Sequence, residues 1–217
     1  IGLQKLFSGN SLIFAVNLAM VLSALLLFYF TYRQQYKYTN VVISDLYSND
    51  SRIRMNAIDI LAQKGHKGHL KHLKQLLLDE NQPISIRVKI LQAFTEIQPM
   101  SVLPSIIDCI NSKSSIIRSA ALDTLCAFRA LHHHSNTVVF AKYQLAEILK
   151  DLYKKEKNPE IVTKIIKLLS RLSCVATIEF LMDVAKSKKS YHRAEAILAL
   201  GRLKDPHVIE FIKPYLN

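Results

Sequence analysis

Histidine has the most evident capacity for chemistry in this chain. Its eight copies include His66, His69 and His72 at steps of three and the run His132, His133 and His134. Imidazoles three residues apart share a helix face and are common zinc ligands, but no Cys, Asp or Glu completes either set. The two clusters read better as a solvated helix face and a loop. Cys109, Cys126 and Cys174 form no C-x-x-C pair and are odd in number, which argues against a disulfide framework or a zinc module and suits a reducing compartment. Each falls on an apolar helical pattern, where a thiol serves as a small hydrophobe. There is no G-x-S-x-G, P-loop, G-x-G-x-x-G or H-E-x-x-H motif. The sequence therefore assigns no catalytic residue, metal ligand or cofactor, and points away from an enzyme.

Basic residues are the second source of chemistry, since a net charge of +12 favours anionic partners. Lys154, Lys155 and Lys157, then Lys186, Lys188 and Lys189, could meet an anionic surface such as lipid headgroups or an acidic protein. Few aromatic side chains interleave them, which disfavours nucleic acid because bases lack a stacking platform. Arg54, Arg87, Arg118 and Arg193 recur in a column that Val162 completes, with steps of 33, 31, 44 and 31 residues.

That column belongs to a repeat. Three positions on from it stand Ala57, Ile90, Ala121, Ile165 and Ala196. Four on stand Ile58, Leu91, Leu122, Ile166 and Ile197, and seven on Leu61, Phe94, Leu125, Leu169 and Leu200. Steps of 3, 4 and 7 place these residues on one helix face. A second amphipathic run lies between successive copies, so each unit is a helix pair, and units that cannot bury their apolar faces alone must stack. Asn49-Asp50, Pro83, Pro159 and Asp205-Pro206 stand where helices should start. The long step holds an insertion near 131–144.

The pattern resembles HEAT repeats, especially the short bacterial HEAT-like units, through the Pro or Asp before the helix, the Ile/Val-Arg pair and the Ala-Ile/Leu-x-x-Leu face. The resemblance covers about residues 38–217, with Val162 departing from the basic position. It implies an all-α fold, a right-handed α-α superhelix of the HEAT/armadillo type with about five helix pairs. It also implies arginines that brace neighbouring repeats, a solenoid that acts by binding proteins, and a sixth unit begun by the last residues. Some HEAT-like proteins are bilin lyases or DNA-repair enzymes, but no position here carries either activity over.

The first 37 residues are of another kind. Lys5 is the only charged side chain among residues 1–32, and within Leu12–Phe30 only Asn17 and Ser23 are neither apolar nor aromatic. Those nineteen positions make a helix roughly 28 Å long, close to a bilayer's hydrocarbon core. Being apolar all round, it lacks the polar stripe of a soluble helix. A transmembrane helix near 12–32 is expected, with 1–37 as its segment and 38–217 as the repeat domain. Arg33 and Lys37 place residues after about 33 in the cytoplasm. Asn17 suggests a neighbouring helix, and the start at Ile1 suggests further membrane helices upstream. The junction resembles major-facilitator and ATP/ADP translocase-like proteins fused to HEAT repeats. A cytoplasmic interaction or regulatory domain of a transporter-like membrane protein is expected. The alternatives are a single-pass scaffold for a protein partner and, less favoured, a nucleic-acid-binding solenoid.

Overall fold

The computed structural model describes residues 2–64, 69–128, 136–172, 175–187, 190–203 and 205–215, with side chains described except at 2–12, 14–15, 35–39, 64, 136–143 and 190. Among them there are helices and no strand. In chain order these are α1 (Gly2–Asp45), α2 (Ser51–Lys64), α3 (Leu70–Leu78), α4 (Ile84–Ile97), α5 (Leu103–Cys109) and α6 (Ser115–Ala127). They continue as α7 (Asn136–Lys155), α8 (Pro159–Leu172), α9 (Val175–Ala185), α10 (Ser190–Gly201) and α11 (Pro206–Ile212).

Helices α2, α4, α6, α8 and α10 form one row, each packed on the next. This inner row carries the arginine column at its N-terminal ends. Helices α3, α5, α7 and α9 form the outer row and pair with α4, α6, α8 and α10, while α11 packs on α10. The core between the rows is the repeated apolar face. Of the fifteen positions at steps of 3, 4 and 7 from the column, all are buried except Ile197, which is half-buried. Burying a Leu, Ile or Phe side chain contributes about 1.5–3 kcal/mol, so this one pattern supplies a substantial part of the driving force for stacking.

Local chemistry sets the helix starts. Asp205 Oδ1 accepts the His207 N–H at 2.9 Å ahead of α11, with Pro206 in the first turn. Asn158 Oδ1 accepts the Glu160 N–H at 3.0 Å at the start of α8, and Asp50 Oδ1 accepts the Arg52 N–H at 2.8 Å at the start of α2. Such caps satisfy N–H groups that have no partner inside the helix. Helix α4 ends differently, on Gln98 in the left-handed conformation at φ 48°, its N–H donating to the Phe94 carbonyl.

Helix α1 has two different parts. Over Val16–Gln34 it is long and apolar enough to cross a membrane, and no residue of that window is buried. Leu27 and Phe28 are 68% and 70% exposed. Its Ser23 and Thr31 hydroxyls are satisfied within the helix, Ser23 donating to the Met20 carbonyl and Thr31 to those of Leu27 and Phe28. The helix passes residue 37 without a break, because neither Pro nor Gly lies between Arg33 and Asp45. Its last turns pack on α2, where Val42 and Leu46 are buried. The end of α1 thus serves as the outer helix of the first pair, giving five pairs followed by α11.

Candidate partner-binding face

The arginine column is built into the solenoid. Arg54 donates to Gln82 Oε1 at 2.9 Å, tying α2 to the loop before α4. Arg87 is buried and donates from Nε to the Leu77 carbonyl at 2.8 Å, closing the end of α3. Arg118 donates to the Ser112 and Lys113 carbonyls at 2.9 and 3.0 Å and pairs with Glu156 Oε2 at 2.8 Å. Burial pushes the Glu156 carboxyl up. The Arg118 hydrogen bond and charge, with the N–H groups of Asn158 and Lys157, outweigh that and hold it below its ordinary value. Arg193 is exposed. Three of the four arginines thus spend their guanidinium donors on neighbouring backbone and side chains.

A second series joins the inner helices to one another. Asp59 of α2 meets Lys89 of α4 at 2.6 Å, and Asp123 of α6 meets Lys164 of α8 at 2.5 Å. Both pairs have the same register, an acid five residues past the column on one helix and a lysine two past it on the next. At the intervening α4–α6 junction those positions are Gln92 and Ala120. There the tie is made deeper, by Thr124 Oγ1 donating to the Leu91 carbonyl at 3.1 Å and lying 3.3 Å from Thr95 Oγ1. With no ion pair above it, the junction opens into a cavity of about 680 Å³. Gln92, Glu96, Ile116, Ser119, Ala120 and Glu160 are among its walls. This is an amphipathic slot with exposed carboxylates at its rim.

At the α8–α10 junction the signs are exchanged, with Lys167 at the position of the acid and Glu195 at that of the lysine, and the two form no ion pair. Beside them Lys167, Ser170, Arg171, Arg202 and Leu203 line a second cavity of about 510 Å³. Arg171 is held in place there by donating to the Cys126 carbonyl.

The other residues singled out in the sequence lie elsewhere. Lys154 and Lys155 end α7 on the outer row, Lys154 pairing with Asp151 at 3.0 Å. Lys157 is exposed in the following loop. Lys186 pairs with Asp183 at 3.2 Å and lies 5.7 Å from the Phe211 ring centre. Lys188, Lys189, His66, His132–His134 and Cys174 lie outside the described residues. His69 is buried, and His72 shares a 3.1 Å hydrogen bond with the Tyr47 hydroxyl, joining α3 to the end of α1. Burial pushes the Cys109 and Cys126 thiols up, which keeps them protonated and poor nucleophiles at neutral pH. Among the described residues no group of three His, Cys, Asp or Glu is placed to hold a metal ion. The expected insertion near 131–144 includes the first turns of α7, the longest helix of the outer row.

What the sequence reading missed is the Asp–Lys series and both cavities. The signal was present in the alignment of the repeats, because the paired charges recur at fixed offsets from the arginine column.

The PBS lyase HEAT-like repeat model matches residues 193–217, which take in most of α10 and all of α11. The chain folds as a HEAT-type helical solenoid. An engineered protein solved by crystallography aligns with it at TM-score 0.53 and 16% identity, covering 80% of this chain and 83% of the other. A chain of the CpcE–CpcF complex of phycocyanin lyase from Nostoc sp. PCC7120 aligns at TM-score 0.40 and 17% identity, covering 80% of each. No curated protein matches the chain.

Proposed function

We propose that this chain is a membrane-tethered interaction domain whose inner row of helices holds a protein partner on the cytoplasmic side. The observation that carries the reading is α1. Its Val16–Gln34 stretch is long and apolar enough to span a bilayer and none of it is buried, while the same unbroken helix leads into the solenoid core at Val42 and Leu46. A helix with its backbone and its Ser23 and Thr31 hydroxyls satisfied internally suits hydrocarbon. A rigid continuation into the first repeat would hold the solenoid at a fixed attitude to the bilayer. Arg33 and Lys37 at the solenoid side favour the cytoplasm. The slot at the α4–α6 junction is the place for a partner, since it combines apolar and hydrogen-bonding walls where the neighbouring junctions are closed by ion pairs.

The resemblance of the junction extends this reading to a carrier, with α1 as the last span of a transporter-like protein and the solenoid as its regulatory tail. The second reading, a single-pass scaffold, shares the tether and the slot. The length of the native polypeptide separates them. A product of several hundred residues favours the carrier, and one close to 217 residues favours the scaffold.

The tether and the slot are tested together by placing a photo-crosslinking residue at Ser119, in the slot, or at Glu147, on α7. The tagged chain should stay in the membrane pellet after alkaline carbonate, and only the Ser119 position should give a defined crosslinked product. Extraction into the supernatant would overturn the tether. Equal crosslinking from both positions would overturn the slot.

A further inference from the structure

We infer that the cavity at the α8–α10 junction is an anion-recognition site for an acidic segment of a partner protein, with Lys167, Arg171 and Arg202 as its cationic residues. This rests on the reading of the inner row as a protein-binding face and names the chemistry that the face selects. Three cations meet around about 510 Å³, a volume that takes one or two carboxylate side chains and not a folded domain. Lys167 and Arg171 stand one turn apart on α8, so both project from one helix face. Arg202, just past the end of α10, closes the site from the other side. The Arg171 guanidinium is pre-positioned by its bond to the Cys126 carbonyl, which lowers the entropy lost when an anion binds.

The repeat register explains why the charge is available. At the α2–α4 and α6–α8 junctions, the acid on one helix neutralises the lysine on the next. Here Lys167 replaces the acid and Glu195 the lysine without pairing, so one carboxylate faces the three cations, and neither Lys167 nor Arg202 forms an ion pair with a described residue. Solvated surface lysines are common, but three cations from two helices converging on a concave site leave a local positive potential that an external anion would relieve.

Two other anionic partners fit less well. Among the described residues no aromatic side chain lines the cavity, so a nucleic acid would find phosphate contacts and no stacking platform. A flat bilayer surface is met by cations that protrude, such as Lys154 and Lys155 on the outer row, and less readily by cations that line a cavity. The slot at α4–α6 is about two helices away, roughly 20 Å, which an extended segment of about six residues covers. Because Glu96 and Glu160 stand at that slot, the segment should be acidic only at the end that reaches α8–α10.

The test uses the full chain in detergent micelles and a dye-labelled peptide of Ser and Gly ending in Glu-Glu, followed by fluorescence anisotropy. Binding should weaken at least about tenfold in the double variant Lys167→Glu/Arg202→Glu, and by no more than about twofold in Lys154→Glu/Lys155→Glu, which carries the same charge change on the outer row. The Gln-Gln peptide should bind as weakly as the double variant does. Far-ultraviolet circular dichroism confirms that both variants stay helical. Should the Lys167/Arg202 change disrupt folding, Lys167→Gln alone, at an exposed position, should weaken binding in the same direction. The proposal is overturned by undetectable binding of the Glu-Glu peptide to the unaltered chain, or by equal loss in both double variants. It is also overturned by a single-stranded oligonucleotide or phosphatidylserine vesicles binding more tightly than the peptide and losing that binding in Lys167→Glu/Arg202→Glu. Crosslinking from Ser119 and carbonate extraction do not depend on these residues, so the site can fail while the tethered interaction domain stands.

Discussion

The α4–α6 and α6–α8 junctions pack the same apolar face against the same apolar face, yet one is tied shut and the other is open. At α6–α8 the surface carries Asp123–Lys164, the edge carries the part-buried Arg118–Glu156 pair, and Arg171 reaches back to the Cys126 carbonyl. At α4–α6 the polar tie among the described residues is the threonine pair beneath the surface, and the space above it is the slot. The difference shows how a repeat array can diversify. The core positions fix the stacking, and the two offsets that face the next helix decide whether a junction is sealed, open, or, as at α8–α10, left without the ion pair that closes its neighbours.

The contrast breaks most severely at the sealed junction. Arg118→Ala leaves the Glu156 carboxylate buried without its cation and removes donors from two carbonyls. A loss of about 3 kcal/mol is expected, read from denaturant unfolding of the full chain in detergent. The matched change at the slot, Gln92→Ala, should shift the same midpoint by less than about 0.5 kcal/mol, because Gln92 is an exposed residue. Equal effects at the two positions would mean that the junctions are not held differently.

Glu156→Gln tests the same pair by pH. Because the folded carboxyl titrates below its ordinary value of 4.5, its stabilisation is fully present above that value and is lost as pH falls through the folded pKa. The variant should be less stable by about 2 kcal/mol at neutral pH, and the two proteins should converge in acid. A gap that stays constant with pH would show that shape, and not charge, holds this edge.

The ends of the two inner helices also differ. Helix α4 stops on Gln98 at φ 48°, a conformation that costs a residue with a Cβ roughly 1 kcal/mol, whereas α6 stops on Phe128 in an extended conformation. Gln98→Gly should raise stability by somewhat less than that, because the Gln98 side chain also donates to the Thr95 carbonyl at 3.0 Å. A destabilised variant would show that this bond, rather than the backbone, defines the turn.

These differences explain what could be read from the sequence. Fifteen apolar positions recur with helical spacing, so the stacking was legible from Ala57 to Leu200 without coordinates. The arginine column was legible for the same reason, since Arg54, Arg87 and Arg118 occupy one register. The end of the first segment was not. From Arg33 to Asp45 the chain changes from apolar all round to apolar on one side, as at Val42 and Leu46, with no breaker to mark the change. The binding chemistry was harder still. Lys154-Lys155 and Lys186 draw the eye as runs, and each run has an acid one turn back that partly neutralises it. Arg202, by contrast, is an isolated charge more than thirty residues from Lys167, and only the topology brings the two to one cavity.

The sharpest form of the comparison is to write the missing ion pair into the open junction. Gln92→Asp with Ala120→Lys reproduces at α4–α6 the offsets of Asp59–Lys89 and Asp123–Lys164. The threonine tie is untouched; Gln92 is exposed, and Ala120 is half-buried at the edge of the core, where the lysine stem must pass out toward the mouth of the slot. An exposed pair of this kind contributes only about 0.2–1 kcal/mol, so unfolding should move slightly toward greater stability. Binding should respond far more, because the lysine stem and its partner would fill the mouth of the slot. Crosslinking from Ser119 should then disappear while the membrane pellet retains the protein. The small stability change and the large binding change must occur together. If the pair forms, as a double-mutant cycle would show, and crosslinking persists, the open junction is a packing variation and the partner contacts another part of the row. If crosslinking is lost only in the double variant and not in Gln92→Asp alone, occlusion rather than added negative charge is the cause, and the two offsets facing each neighbouring helix are where this solenoid encodes its binding site.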